Sequence, residues 1–239
     1  MKPPDGIRAV AFDLDGTLYP NYRLFFRLIP GLCAHPRFFR TFARVRRELH
    51  RRGADRAGPP FPSFYDEQAV LMAELLGEDP GAIRQKTETL VYRGWEEFFK
   101  NIALFPHVRE TLEALRGAGL KTALLSDFPP ARKIALLGLE GLFDALLSSE
   151  ETGALKPSAL PFAALERALG IEAPAVLYVG NSPRYDAAGA RGAGMRTALL
   201  RRSFLDTGFY PRRERRDAAP DADVFVFHDY RQLREYVLG

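Results

Sequence analysis

Cysteine is almost missing from this chain: Cys33 is the only one in 239 residues. A lone cysteine excludes an internal disulfide and suits a reducing compartment. It is not expected to be a nucleophile either, because His35 lies only two residues away and nothing else would serve as its base. No apolar run approaches membrane-spanning length, so no membrane partner is expected. The segment Met1–Gly6 lacks the apolar core of a signal peptide, and a cytoplasmic protein is the expectation. Acidic residues are scarce in one stretch, where nine arginines between Arg23 and Arg52 face a single acid, Glu48. A second basic run covers Arg201–Arg202 and Arg212–Arg216. Such runs can meet nucleic acid, anionic lipid or an anionic substrate. Phe38, Phe42, Val45 and Leu49 recur through the first run at helical spacing. It therefore reads as the solvated face of a packed helix, with no specific nucleic-acid partner. The second run reads as a surface loop.

What is present is a soluble globular composition, 46% hydrophobic and 27% charged, long enough to bury a substantial core. The most informative run is Asp13-Leu14-Asp15-Gly16-Thr17-Leu18, directly after the apolar Ile7–Phe12. Strand alternation puts Asp13 and Asp15 on one side of the backbone. A carboxylate is a covalent nucleophile toward phosphorus when a metal offsets its charge, and a second carboxyl can shuttle a proton. Gly16 lets the backbone turn close to a phosphate with its N–H free to donate.

Three further segments follow, each at the end of a strand-like run. Ser126-Asp127 comes after Leu120–Leu125, and Lys156-Pro157 after Ala145–Leu147. Asn181 to Asp186 comes after Val176–Val179. Thr197–Leu200 and Asp223–Phe227 read as further strands, the last at an edge. Helices are expected from Pro106, over Ala131–Leu137 and Pro161–Leu169, after Asp186, and over Tyr230–Leu238. Alternation of this kind predicts an α/β fold with a parallel, doubly wound sheet, whose ligands sit beyond the carboxyl ends of the strands. All four segments fall there. Between the first and second, roughly Pro20–Ala103 reads as all helical. A Gly/Pro-rich break at Gly53–Pro62 interrupts it, and a helix is capped by Asp79 and Pro80. That last helix is expected to run through Trp95 toward Phe99.

This ordered quartet resembles the four motifs of the haloacid dehalogenase superfamily. The helical insertion resembles the subfamily with phosphoglycolate phosphatases, nucleotidases and haloacid dehalogenases. The resemblance implies a Rossmann-like core of residues 1–19 and 104–239 with an all-helical cap of residues 20–103. It implies Asp13 as the nucleophile that becomes an aspartyl-phosphate, and Asp15 as the proton donor and then acceptor. Gly16, Thr17, Ser126, Asp127 and Lys156 would bind the phosphate, and Lys156 would also neutralise Asp13. Mg²⁺ would be held by Asp13, the Asp15 carbonyl, Asn181 and Asp186. Asn181 departs from the family pattern, which has Asp there, and brings an oxygen without a charge.

Dehalogenases of the superfamily attack carbon, need no Mg²⁺ and lack a carboxylate at position 15, so Asp15 favours phosphate chemistry. The expected activity is Mg²⁺-dependent hydrolysis of a small phosphomonoester, a nucleotide or a sugar phosphate. Two alternatives remain at this level. One is a weakened member that binds an anionic partner through the Arg-rich helix, and the other is a phosphomutase. The leaving group is expected to meet Tyr19–Arg23. Tyr22, Phe64, Tyr65 and Trp95 could stack on a base, although they fit a packed helical core equally well.

Overall fold

The computed structural model describes residues 6–53, 61–201 and 223–239. Six strands form one parallel sheet: β1 (Ala9–Phe12), β2 (Lys121–Ser126), β3 (Ala145–Ser148), β4 (Val176–Gly180), β5 (Arg196–Leu200) and β6 (Phe225–Phe227). Their order is β3-β2-β1-β4-β5-β6, the parallel doubly wound sheet that the alternation predicts. β1 is central, with Ala9 opposite both Lys121 and Val176. Its alternation separates two cores. Ala9 and Ala11 pack on one face against Phe162, Leu165 and Leu169, and Val10 and Phe12 pack on the other against Val108, Leu112 and Tyr230. Every strand residue of β1 and β4 is buried, as central strands of a covered sheet require.

The helices α1 (Asn21–Ala34), α2 (Pro36–Gly53), α3 (Phe64–Leu76) and α4 (Pro80–Thr87) all lie between β1 and β2. The sheet is covered by α5 (Val108–Gly117), α6 (Ala131–Leu136), α7 (Ala159–Leu169), α8 (Ala188–Gly192) and α9 (Tyr230–Leu238). Among the described residues from Pro20 to Ala103 there is no strand, which matches the all-helical reading of that segment. Asp79 caps α4 through a bond from the Ala82 N–H, as its sequence position predicts.

The helix expected from Pro80 to Phe99 is not continuous. It passes into a π-turn at Glu88–Arg93 and, after Gly94, a 3₁₀ turn at Glu96–Phe99. A Cβ at Gly94 would stand 2.7–2.8 Å from the carbonyls of Thr89 and Leu90, so only glycine allows the chain to fold back there. The second basic run from Arg202 onward, and most of the Gly/Pro-rich break, lie outside the described residues. No helix among the described residues is long and apolar enough to cross a membrane.

Candidate active site

The four segments converge at the carboxyl ends of β1, β2 and β4, around a cavity of about 710 Å³. Asp13 continues from β1, its N–H bonded to the Val179 carbonyl of β4 at 2.8 Å. Its carboxylate is 6% exposed, accepting from the Thr17 hydroxyl at 2.8 Å and from Lys156 Nζ at 2.7 Å. Burial pushes the Asp13 carboxyl up to about 7 against the pull of Lys156, and the carboxylates of Asp186 and Asp15 push it the same way.

Lys156 is itself buried, and its ammonium also reaches Asp186 Oδ1 at 2.7 Å and the Tyr178 hydroxyl at 3.2 Å. Burial works against that charge, but Asp13 and Asp186 hold it well above the ordinary lysine range. Asp186 in turn accepts the N–H groups of Asn181 and Ser182, at 3.1 and 2.9 Å, on its other oxygen. A Cβ at Gly180 would clash with the Asp186 side chain, so this loop closes on glycine.

Asp15 is held from three sides. Its oxygens accept from Lys133 Nζ at 3.1 and 3.2 Å, from Ser126 at 3.4 Å, and from the Tyr19 hydroxyl. Ser126 ends β2 fully buried. Asp127 lies in the cavity wall, its carboxylate accepting the Lys156 N–H at 3.4 Å and standing 3.6 Å from His50 Nε2. Burial opposes its charge, yet His50, Lys156 and Arg46 bring Asp127 below its usual range. Thr17 is fully buried, with its hydroxyl on Asp13 and its N–H on the Leu14 carbonyl at 3.2 Å. It orients Asp13 here. Gly16 has φ +88°, and a Cβ there would clash with the Asn181 amide, so glycine brings the first and fourth segments into contact.

Several expectations about neighbouring residues are corrected. Tyr19 does not face a leaving group; it is fully buried beneath Asp15. Of the four aromatics considered for stacking, only Trp95 lines this cavity. The Arg-rich helix is not one solvated face. Arg46 is 7% exposed and ion-paired to the buried Glu150, with its guanidinium 4.3 Å above the Phe128 ring. Arg37 donates to the Leu76 carbonyl at 3.0 Å, and Arg51 and Arg52 pair with Glu48.

Lys133, His50 and Arg46 were missed in the sequence. His50 stacks on Tyr185 at 4.3 Å, with Nδ1 2.6 Å from the Lys156 carbonyl, and burial lowers its pKa. The available signal is helical spacing: Phe39, Ala43, Arg46 and His50 follow one face of α2, and all four line the cavity.

Residues 7–194 match the family described as haloacid dehalogenase-like hydrolase. The chain belongs to that family. Among curated relatives it is 28% identical over 233 residues to a glyceraldehyde 3-phosphate phosphatase of Methanopyrus kandleri, covering 91% of this chain and 93% of that one. It is 29% identical to a ribulose-1,5-bisphosphate 5-phosphatase of Halopiger xanaduensis, over 80% of this chain and 84% of that one. An (S)-2-haloacid dehalogenase of a Pseudomonas species is also 29% identical, over 83% and 84%. The fold matches a solved haloacid dehalogenase-family phosphatase of Thermococcus onnurineus, with TM-score 0.64 and 22% identity over 98% of this chain and 99% of that one. It matches an L-2-haloacid dehalogenase of Xanthobacter autotrophicus with the same TM-score, identity and coverage. This haloacid dehalogenase-like protein is thus an enzyme of the hydrolase class, with phosphatases and dehalogenases among its relatives.

Proposed function

We propose that the chain is a Mg²⁺-dependent phosphomonoester hydrolase that works through an aspartyl-phosphate on Asp13, with residues 20–103 as a cap over the cavity. The observation that carries this reading is Asp15. It stands beside the nucleophile in contact with a cation and two hydroxyls, where dehalogenases of the family lack a carboxylate.

An Asp13 oxygen attacks phosphorus as the P–O bond to the leaving group breaks, and Asp15 gives its proton to the departing leaving-group oxygen. Water then attacks the phosphorus of the aspartyl-phosphate and yields its proton to Asp15. Inorganic phosphate leaves, and the Asp13 carboxylate is restored. Charge on the transferring group is met by Lys156, by the Ser126 hydroxyl, and by the N–H groups around Gly16 and Asp127. Thr17 keeps Asp13 in one rotamer, and Lys133 and Tyr19 do the same for Asp15.

The residues fit a hard cation. Asn181 Oδ1 is buried without a hydrogen-bond partner beside two carboxylate-bearing segments, an oxygen that a metal or its bound water would satisfy. No three Asp, Glu, His or Cys side chains gather as a metal-holding group among the described residues. The donor set would therefore rest on Asp13, the Asp15 carbonyl, Asn181 and Asp186. Bound there, Mg²⁺ would offset the negative charge shared by the phosphate and Asp13.

The test is phosphate release from a panel of phosphorylated metabolites with and without Mg²⁺, run beside halide release from 2-haloacids. Mg²⁺-dependent phosphate release without halide release is expected. Halide release without Mg²⁺, and no phosphate release, would overturn the reading.

A further inference from the structure

Beyond the phosphate end the lining is mostly carbon, with Arg40, Arg46, Arg47, His50 and Tyr185 as its polar members. Phe25 and Leu28 come from α1, and Phe39 and Phe42 from α2. Trp95 and Phe128 complete the wall. No Ser, Thr, Asn or Gln side chain is among the described lining residues. Of the polar members, Arg46 is engaged by Glu150, His50 by the Lys156 carbonyl and Arg40 by the Pro36 carbonyl at 3.2 Å. Trp95 is set in place by its neighbours, stacked on Phe39 at 6.4 Å and tilted against Phe128 at 5.7 Å. This wall is pre-formed aromatic surface opening on the reacting carboxylates.

Two physical arguments follow from it. A polyol entering this space would lose water from most of its hydroxyls against carbon, with only the arginines of α2, His50 and Tyr185 as side-chain partners beyond the phosphate end, which disfavours it. The volume is also large. At about 30 Å³ per water-sized atom, a three-carbon phosphate ester of about ten non-hydrogen atoms would leave more than half of the 710 Å³ filled with water. An apolar body on the same phosphate would displace that water and gain from burial.

Resting on the phosphatase reading above, we infer that the preferred substrates are phosphomonoesters whose leaving group is a sizeable apolar body, aliphatic or aromatic, rather than a sugar or other polyol.

The test uses straight-chain alkyl phosphates of two to eight carbons, whose leaving alcohols differ little in acidity, with glycerol 3-phosphate as the hydroxylated counterpart of propyl phosphate. The expected result is a rise in kcat/KM of about three- to fourfold per methylene until the wall is covered, the factor for taking one methylene out of water. Propyl phosphate should be preferred over glycerol 3-phosphate, and Trp95→Ser should flatten the rise. Binding of ethyl- to octylphosphonate, followed by calorimetry, reads the same slope without turnover. If no ester is hydrolysed but phosphonate binding tightens with chain length, the hydrolase reading fails and the apolar subsite stands. A flat or falling series in both measurements overturns the inference. So does a tenfold preference for glycerol 3-phosphate. A flat series with concentration-dependent self-association would assign the apolar wall to a second copy of the chain.

Discussion

At the sheet end of the cavity, Lys156 divides its protons among Asp13, Asp186 and Tyr178. At the helix end, six large apolar side chains dominate the wall, with the arginines of α2 between them. The sheet end gets its precision from backbone register, since Asp13 and Ser126 sit at the ends of strands whose neighbours are fixed by ladder hydrogen bonds. The helix end is shaped by side-chain packing, with Arg46 and Glu150 as a buried ion pair among its contacts to the core. The difference teaches which property each end determines. Charge placed to a few tenths of an ångström selects a reaction, while apolar surface selects a leaving group by size and dryness.

The comparison breaks most sharply at Asp13, the proposed nucleophile. Asp13→Asn should lower phosphate release by at least about a thousandfold, because an amide cannot form the covalent intermediate. Its thermal unfolding should remain cooperative. Substantial activity in freshly purified, undeamidated protein would remove the covalent mechanism.

A second test acts where the two ends are joined. Arg46→Met leaves Glu150 buried without its cation and should cost about 3–5 kcal/mol in urea unfolding at pH 8. Burial pushes Glu150 up to about 7 from an ordinary 4.5, against the pull of Arg46. Between those values the native state holds a proton that the unfolded chain has released. This contribution to stability is therefore complete below about 4.5 and lost as pH rises through about 7. Glu150→Gln should flatten that slope, and the Arg46→Met penalty should shrink at pH 5. A penalty independent of pH would assign it to lost packing over Phe128 instead.

Lys133 sharpens the division further, because it touches the sheet-end acid from α6. Lys133→Met should lower kcat about 10- to 100-fold for alkyl esters and less for aryl esters, which need little protonation as they leave. KM should change little, and Lys133→Arg should recover part of the loss. An equal loss for both ester types would make Lys133 structural only.

The smallest effect expected is on the metal. Asn181→Asp adds a charge beside Asp13 and Asp186 and should lower the Mg²⁺ concentration for half-maximal activity about tenfold, roughly 1–2 kcal/mol. An unmoved titration curve would place Asn181 away from the ion.

The sheet and the residues at its edge were legible because strand ends carry a short-range signature. An apolar run stops, and a carboxylate, serine, lysine or glycine follows at once, as at Phe12–Asp13 and Val179–Asn181. The helix end was not legible in the same way. Phe39 and Phe42 have the spacing of core residues whether the face they serve is filled or open. Nor does spacing say which arginine on α2 is buried, since Arg46 owes its burial to Glu150, which is 104 positions away. Lys133 gave no local signal because its partner, Asp15, is 118 positions distant. The break at Gly94 escaped notice because the apolar periodicity continues through it to Trp95.

The central place of β1 has a consequence for timing. Asp13 and Asp15 precede the other site residues in the chain, yet β1 has no sheet neighbour until β2 appears beyond the inserted helices. It gains its other neighbour only with β4. A nascent chain that already holds Asp13, Ser126 and Lys156 still lacks the strand that anchors the Asp13 backbone and the Asp186 that shares Lys156. Such distant pairings form late and slowly. In refolding, recovery of activity should therefore trail the slowest change in sheet signal and never precede it.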